Sequence, residues 1–213
     1  MRLFAAQCTA WIASKRLHSA VGDLARGRRR TAVRQLLADG GEIAIAVLAA
    51  LPPDGPAAFT LAERLRFGPP ETWHAWRPDL GQVALKLADA SDAERRTTFR
   101  HPGVAPFLGH GPGWHALAWI AGPTLAATRS APHGTLEAIA AAVSALHSAG
   151  LAHGDLTPAN IVLSSAGPVL IDWGEDCAGT PGWRPVGEGA SPMRRDLFAL
   201  ERLSRLLRFP HSR

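Results

Sequence analysis

Apolar and polar positions change period several times along this chain, and each change marks an element. In "TAVRQLLADGG", Val33, Leu36 and Leu37 share one face of a predicted helix that stops at Gly40-Gly41, and "EIAIAVLAAL" follows as a second. Residues 1 to about 51 therefore read as helices. "PPDGPA" at 52–57 is dense in proline and glycine, which end helices and make linkers. This divides the chain into a helical N-terminal extension with its linker (1–57) and a main domain (58–213).

Beyond that boundary the period shortens. "TWHAW" and "QVALKLA" are runs of strand formers separated by "RPDLG", which reads as a hairpin turn. A short helical piece, "SDAERRTTFR", leads to "HPGVAPFLGHG" and a further strand, "HALAWI". "LEAIAAAVSALHSAG" puts Ile139, Val143 and Leu146 on one helical stripe, with Gly150 as its stop. Two short strands, "NIVL" and "PVLID", are joined by "SSAG". A Gly- and Pro-rich stretch over 174–192 precedes the terminal helix "RRDLFALERLSRLLRF". The pattern predicts an α+β fold without internal repeats.

Composition narrows the function classes. With 46% apolar and 19% charged residues, the chain is too apolar to be disordered. A net charge of +5 and a pI near 10.5 suggest affinity for polyanions, nucleic acid or nucleotide phosphate. The basic residues are nearly all arginine, alongside abundant alanine and glycine, a bias that fits a GC-rich genome better than a nucleic-acid-binding face. Arg26–Arg30, "RGRRR", offers contacts for phosphate but reads better as a solvated helix end or loop. Cys8 and Cys177 have neither metal-ligand nor disulfide-framework spacing. The run "LFAAQCTAWIA" (3–13) is interrupted by Gln7 and Thr9, which argues against a signal peptide, and no apolar run approaches the ~18 residues of a membrane helix. A cytoplasmic protein with no membrane partner is expected.

The candidate chemistry is concentrated in "LHSAGLAHGDLTPANIVL" (146–163). Asp155 stands five residues before Asn160, and a second aspartate, Asp172, ends the next strand but one. Phosphoryl transfer asks for this set: a carboxylate to take the acceptor's proton, and hard oxygen ligands for the Mg²⁺ that neutralises a triphosphate. Asp155 is the candidate base, and Asn160 and Asp172 are the candidate metal ligands.

This loop, together with "IDWG" at 171–174, resembles the catalytic loop and metal-binding motif of the protein kinase superfamily. The resemblance extends over roughly residues 60–209. "VALK" (83–86) is similar to the strand carrying the phosphate-binding lysine, here Lys86, one of only two lysines in the chain. "LAWIAGPTL" resembles the hinge that meets adenine, and "GTPGWRP" (179–185) the peptide-docking end of an activation segment. "RRDLFAL" resembles the helix whose aspartate, here Asp196, anchors the catalytic loop, although an exposed helix charge fits Asp196 equally well. The resemblance implies a protein kinase-like two-lobe fold, with a small β-rich lobe and a helical lobe reduced by the early end of the chain. It also implies ATP and Mg²⁺ as cofactors. Gly68 of the phosphate loop, Ala84, Val162 and the backbone of Ala118 and Ile120 would contact nucleotide, and Leu117 would back the adenine pocket. Glu94 is favoured over Asp92 as the partner of Lys86, although "SDAE" also reads as a capping box from Ser91 to Glu94. His153 is expected to support the loop rather than transfer protons.

Departures from the pattern keep alternatives open. "FGPPETWHAW" retains Gly68 but has Pro69 and Pro70 where amide donors should face phosphate. Gly154 replaces the arginine that reads an activation-loop phosphate, and Thr157 replaces a lysine common in Ser/Thr kinases. The leading expectation is a serine/threonine protein kinase acting on a protein substrate. A nucleotide-binding pseudokinase serving a regulatory protein partner is an alternative. So is a phosphotransferase of the aminoglycoside or choline kinase kind, which also writes "HGD" and "IDW" but has less use for a docking segment.

Overall fold

A glycine decides where the second helix stops. Helix α2 (Arg29–Asp39) ends on Gly40, whose φ of 65° is left-handed and whose N–H returns to Leu36 O. The structure, a computed structural model, describes residues 15–66, 70–128, 130–174, 179–186 and 189–208. Gly68, Pro69, Cys8, Cys177 and the segment 3–13 lie outside the described residues. Contacts divide the chain into two compact units: residues up to Ala88 with Gly111–Ala116, and Asp89–His110 with the residues from Leu117 onward.

In the first unit, residues 15–25 (α1), α2 and α3 (Glu42–Ala50) precede three antiparallel strands, β1 (Thr60–Arg66), β2 (Thr72–Arg77) and β3 (Gly81–Lys86). The β2–β3 register runs unbroken from Thr72↔Lys86 to Arg77↔Gly81. Its turn carries the paired Arg77–Asp79 hydrogen bonds of 2.7 and 2.8 Å, and Gly81 with φ 70°. The hairpin expected at "RPDLG" is therefore formed. Strand β5 (Trp114–Ala118) lies next to β3.

Alternation sorts β3 into two faces. Val83 and Leu85 are fully buried on one, while Gln82, Ala84 and Lys86 share the other with their cross-strand partners Trp76, His74 and Thr72. Helix α2 packs on this second face. Gln82 Nε2 donates to Leu37 O at 3.0 Å, and Arg34 pairs with Glu63 at 3.6 Å. Leu36, Leu37, Ala44 and Leu48 share one core with Ala62 and Trp76.

The stretch 52–57, read from sequence as a linker, is a hydrogen-bonded turn inside this unit. Asp54 and Gly55 donate their N–H groups to Phe59 O, and Asp54 Oδ1 accepts from Leu61 N at 2.9 Å. The helices before it and the strands after it bury one another's apolar surface, so the composition break at 52–57 is not a break in the core.

The second unit is mainly helical. It holds α4 (Ala93–Thr98), most of β4 (Phe107–Gly111), α5 (Thr135–Ser148), the hairpin β6 (Ile161–Ser164) and β7 (Gly167–Leu170), and α6 (Pro192–Arg208). The predicted stripe of Ile139, Val143 and Leu146 packs with Ile161, Leu170, Trp173, Ala199 and Leu203. Gly150, at φ 70°, follows the end of α5. Among the described residues no helix is long and apolar enough to cross a membrane.

Trp76 joins helices to sheet in the first unit, so Trp76→Ala should cost about 3–5 kcal/mol of stability, read as a shifted midpoint in urea unfolding. A loss within experimental error would mean that the helices contribute little to this core.

Candidate active site

The loop 151–160 takes its shape from one buried carboxylate. Asp196, fully buried on α6, accepts the N–H of His153 at Oδ2 and of Gly154 at Oδ1, both at 2.8 Å. His147 of α5 adds a 3.0 Å contact from Nε2 to Oδ2. Two consecutive amides directed at one carboxylate fix the orientation of that peptide. Gly154 needs φ 86° to do this, a backbone region open to glycine at little cost. Asp196 is thus an anchor; as a residue four places into an arginine-rich helix, it is equally readable in sequence as a surface charge.

Asp155 follows, half-buried. Its N–H donates to His153 Nδ1 at 3.3 Å, so that ring nitrogen is an acceptor. His153 is fully buried, and burial pushes its pKa below the ordinary histidine value; the carboxylates of Asp196, Asp172 and Asp155 oppose the shift without reversing it. The Asp155 carboxylate receives two bonds from Thr180: the N–H to Oδ1 at 2.7 Å and the hydroxyl to Oδ2 at 3.0 Å.

Asn160 closes the loop. Its Nδ2 donates to Asp155 O at 2.9 Å, which commits the amide nitrogen and leaves Oδ1 as the group it can offer a cation. Ile171 N donates to Asn160 O at 2.9 Å, so Asp172 comes directly after the residue bonded to Asn160. Asp172 is half-buried with φ 58°, in the left-handed region that a non-glycine residue occupies only under constraint. An amide oxygen beside a carboxylate is the hard donor set that suits Mg²⁺. The residues present fit that ion.

Trp173 and Gly174 carry the constraint. Trp173 is fully buried and donates Nε1–H to Ala105 O at 2.7 Å, while Gly174 N donates to His153 O at 3.1 Å. From α4, Arg96 donates to Trp173 O at 2.7 Å and Gly174 O at 3.4 Å, and Ser91 Oγ donates to Gly174 O at 3.2 Å. The capping box read at 91–94 is not formed: Asp92 is the N-cap, without a side-chain cap bond, and the Ser91 hydroxyl serves Gly174 instead. Glu94 is exposed, and Arg96 is the buried residue of α4. Sequence reading passed over Arg96; its one signal is the Ala93, Arg96, Phe99 spacing, which puts an arginine on the helix's inward stripe.

The remaining candidates among the described residues have defined places. Lys86 is 1% exposed at the end of β3, two residues from Ala84 on the same face. Leu117 and Val162 are buried. Ala118 N donates to Pro106 O at 2.8 Å, so its carbonyl is what it can offer a ligand, and Ile120 is half-buried. The segment 122–124 is tied to β6 by Leu163 N to Pro123 O at 2.9 Å. At Gly122, φ 144°, an added Cβ would lie 2.5 Å from Leu163 O, so this approach requires glycine.

Comparison with known proteins gives these positions a context. The model of the phosphotransferase enzyme family (APH) matches residues 14–183. A probable serine/threonine-protein kinase, PkwA of Thermomonospora curvata, is 42% identical over 71 residues, 30% of this chain and 10% of that protein. The chain therefore spans about a tenth of that curated relative. Among solved structures, the kinase domain of Mycobacterium tuberculosis PknI superposes with a TM-score of 0.57 at 24% identity, over 74% of this chain and 76% of that one. A further structure of that domain gives 0.57 at 25%, over 71% and 72%. The fold is that of a protein kinase-like domain.

The buried histidine sets a pH dependence. His153 has a folded pKa below the unfolded value of 6.5, so the unfolded chain binds the proton first and stability present above pH 6.5 is lost as the pH falls. His74, shifted the same way chiefly by burial, adds to the slope. Urea unfolding at pH 7.5 and 5.5 should show lower stability in acid, by up to about 1.4 kcal/mol per unit for each histidine. His153→Gln should flatten that slope, and an unchanged slope would show that His153 is not its source.

Proposed function

Since this chain belongs to the phosphotransferase enzyme family, we propose that it is a serine/threonine protein kinase, moving the γ-phosphoryl group of Mg²⁺·ATP to a hydroxyl on a protein. The observation that carries this reading is the pair of bonds from Thr180 to Asp155. A threonine hydroxyl borne on a peptide segment lies 3.0 Å from the carboxylate that would act as base, within the reach required for proton abstraction. The base thus already accepts a bond from an alcohol of the class it is proposed to deprotonate.

In this reading Asp155 orients the acceptor hydroxyl and takes its proton, while Asp196 keeps the base's loop in place. Asn160 and Asp172 would hold Mg²⁺, which would supply charge neutralisation on the phosphates. Lys86 adds a compact cation for phosphate. The protein kinase resemblance implies nucleotide contacts for Gly68, Ala84 and Val162, and base-edge contacts for the carbonyl of Ala118 and the N–H of Ile120. Phosphoryl transfer requires little covalent work from the protein, so positioning and charge carry the rate.

The test uses purified full chain, Mg²⁺·[γ-³²P]ATP and peptides carrying serine, threonine or tyrosine. Label should appear as phosphoserine or phosphothreonine; the peptides are needed because the chain has no tyrosine of its own to report. Asp155→Asn should lower kcat about 10²–10⁴-fold with nucleotide affinity nearly unchanged. Label transferred to an aminoglycoside or to choline, and to no peptide, would replace the protein acceptor with a small molecule. Mg²⁺·ATP binding without transfer in the parent would favour a pseudokinase.

Lys86→Met should weaken Mg²⁺·ATP binding about ten- to a hundredfold in calorimetry, the size of one charge-assisted contact. The loop before β2 makes this contact weigh more, because Pro69 and Pro70 have no N–H to offer. Unchanged affinity would remove Lys86 from the nucleotide site.

A further inference from the structure

Arg96 is the largest group directed at the turn that follows Asp172, and no role in the chemistry above requires it. It is 1% exposed on a helix of six residues. Its guanidinium donates to two consecutive carbonyls, Trp173 O at 2.7 Å and Gly174 O at 3.4 Å. Its carbon lies 4.5 Å from the centroid of the Phe107 ring and 4.9 Å from that of Trp173. Phe99 of the same segment meets Trp173 edge-on at 5.6 Å. Ser91 adds its hydroxyl to Gly174 O, and on the other side Gly174 N is tied to His153 O.

The two peptide units after Asp172 are therefore held from α4 and from the catalytic loop together. Asp172 itself sits at φ 58°, which a side chain with a Cβ keeps only when its surroundings over-determine it. Burial lowers the Arg96 pKa to about 10, leaving it cationic at neutral pH. Lysine could not replace it: one ammonium does not offer the planar fork that spans two carbonyls while lying against two rings.

We propose that Arg96 is the positioning residue for Asp172, holding the Trp173–Gly174 backbone so that the carboxylate keeps its left-handed, metal-binding conformation before nucleotide arrives. The proposal rests on Asp172 as a metal ligand and is independent of which hydroxyl accepts the phosphoryl group.

Arg96→Met keeps the apolar stem between the rings and removes the donors. Calorimetric titration with ADP, with Mg²⁺ varied and with EDTA, should show Mg²⁺-dependent binding weakened about tenfold or more, the scale of a lost charge-assisted contact. Binding in EDTA should be unchanged, and Arg96→Lys should recover little. In 5-fluorotryptophan-labelled protein without ligand, the Trp173 resonance, assigned through Trp173→Phe, should be single in the parent and broadened or split in Arg96→Met. Gly174→Ala approaches the same contact independently. An added Cβ at φ 77° would lie 2.9 Å from Arg96 Nε, so it should displace the guanidinium and raise the Mg²⁺ requirement in the same way, even if Arg96→Met proves too unstable to assay.

A lowered melting temperature with parental Mg²⁺ dependence and an unchanged Trp173 resonance would mean that Arg96 only fills space, and would overturn the proposal. A parent whose ADP binding gains nothing from Mg²⁺ would overturn both this proposal and the metal-binding role of Asp172. Mg²⁺ dependence in the parent that survives Arg96→Met and Gly174→Ala would overturn this one alone.

Discussion

Everything chemical in the second unit depends on a carboxylate that performs no chemistry. Asp196 is fully buried, and an isolated ionised group in that position would be expensive. It is tolerable because its oxygens accept two backbone N–H groups and contact His147. Those same bonds fix residues 153 and 154, and with them the orientation of Asp155, the path to Asn160 and the carbonyl of His153 that receives Gly174 N. The cost of burial and the fixed shape of the loop are two aspects of one interaction. Removing the carboxylate would orphan two buried donors at the peptide where placement matters most.

Much of this was legible in the sequence, for a physical reason. Spacings such as Asp155 to Asn160 are local, and a tight loop between a helix and a strand leaves few ways to arrange six residues. The stripe of Ile139, Val143 and Leu146, the hairpin at 77–81 and the β6–β7 turn are likewise short-range patterns that the backbone enforces by itself. Non-local information was harder to read. Asp196 stands on the helical stripe of Ala199, Leu200, Leu203 and Leu207, yet a charge on an apolar stripe names no partner until α5 is seen to bring His147 and the loop to it. The stretch 52–57 has the composition of a linker, yet Asp54 and Gly55 bond Phe59, and Trp76, far along the chain, brings the helices onto the sheet.

Helix α4 was hard to read for a different reason. In so short a helix a single turn decides which side chains face inward, and Glu94 and Arg96, two residues apart, fall on opposite sides. Desolvation alone would choose neither. Arginine is held on the inward side because its fork reaches two carbonyls and its guanidinium lies against two rings, with the carboxylates of Asp92 and Asp172 favouring the charge. A glutamate aimed at the same carbonyls would set like charges together and remain unpaired.

Gly154 belongs to the same logic of backbone before side chain. At φ 86° its N–H reaches Asp196, and a residue with a Cβ would strain that conformation. Glycine at the position where the protein kinase pattern has an arginine is therefore part of a different way of building the loop. A phosphate-reading arginine orders its segment by attracting a modification that must first be added. Here Thr180 contacts Asp155 through its own N–H and hydroxyl, with no added charge between them. A loop held by backbone amides on a buried carboxylate, and the turn after Asp172 held by a buried guanidinium, both reach their geometry through folding alone. Their order is set by the core that surrounds them, since the groups that fix them cannot leave it without exposing unpaired donors and acceptors.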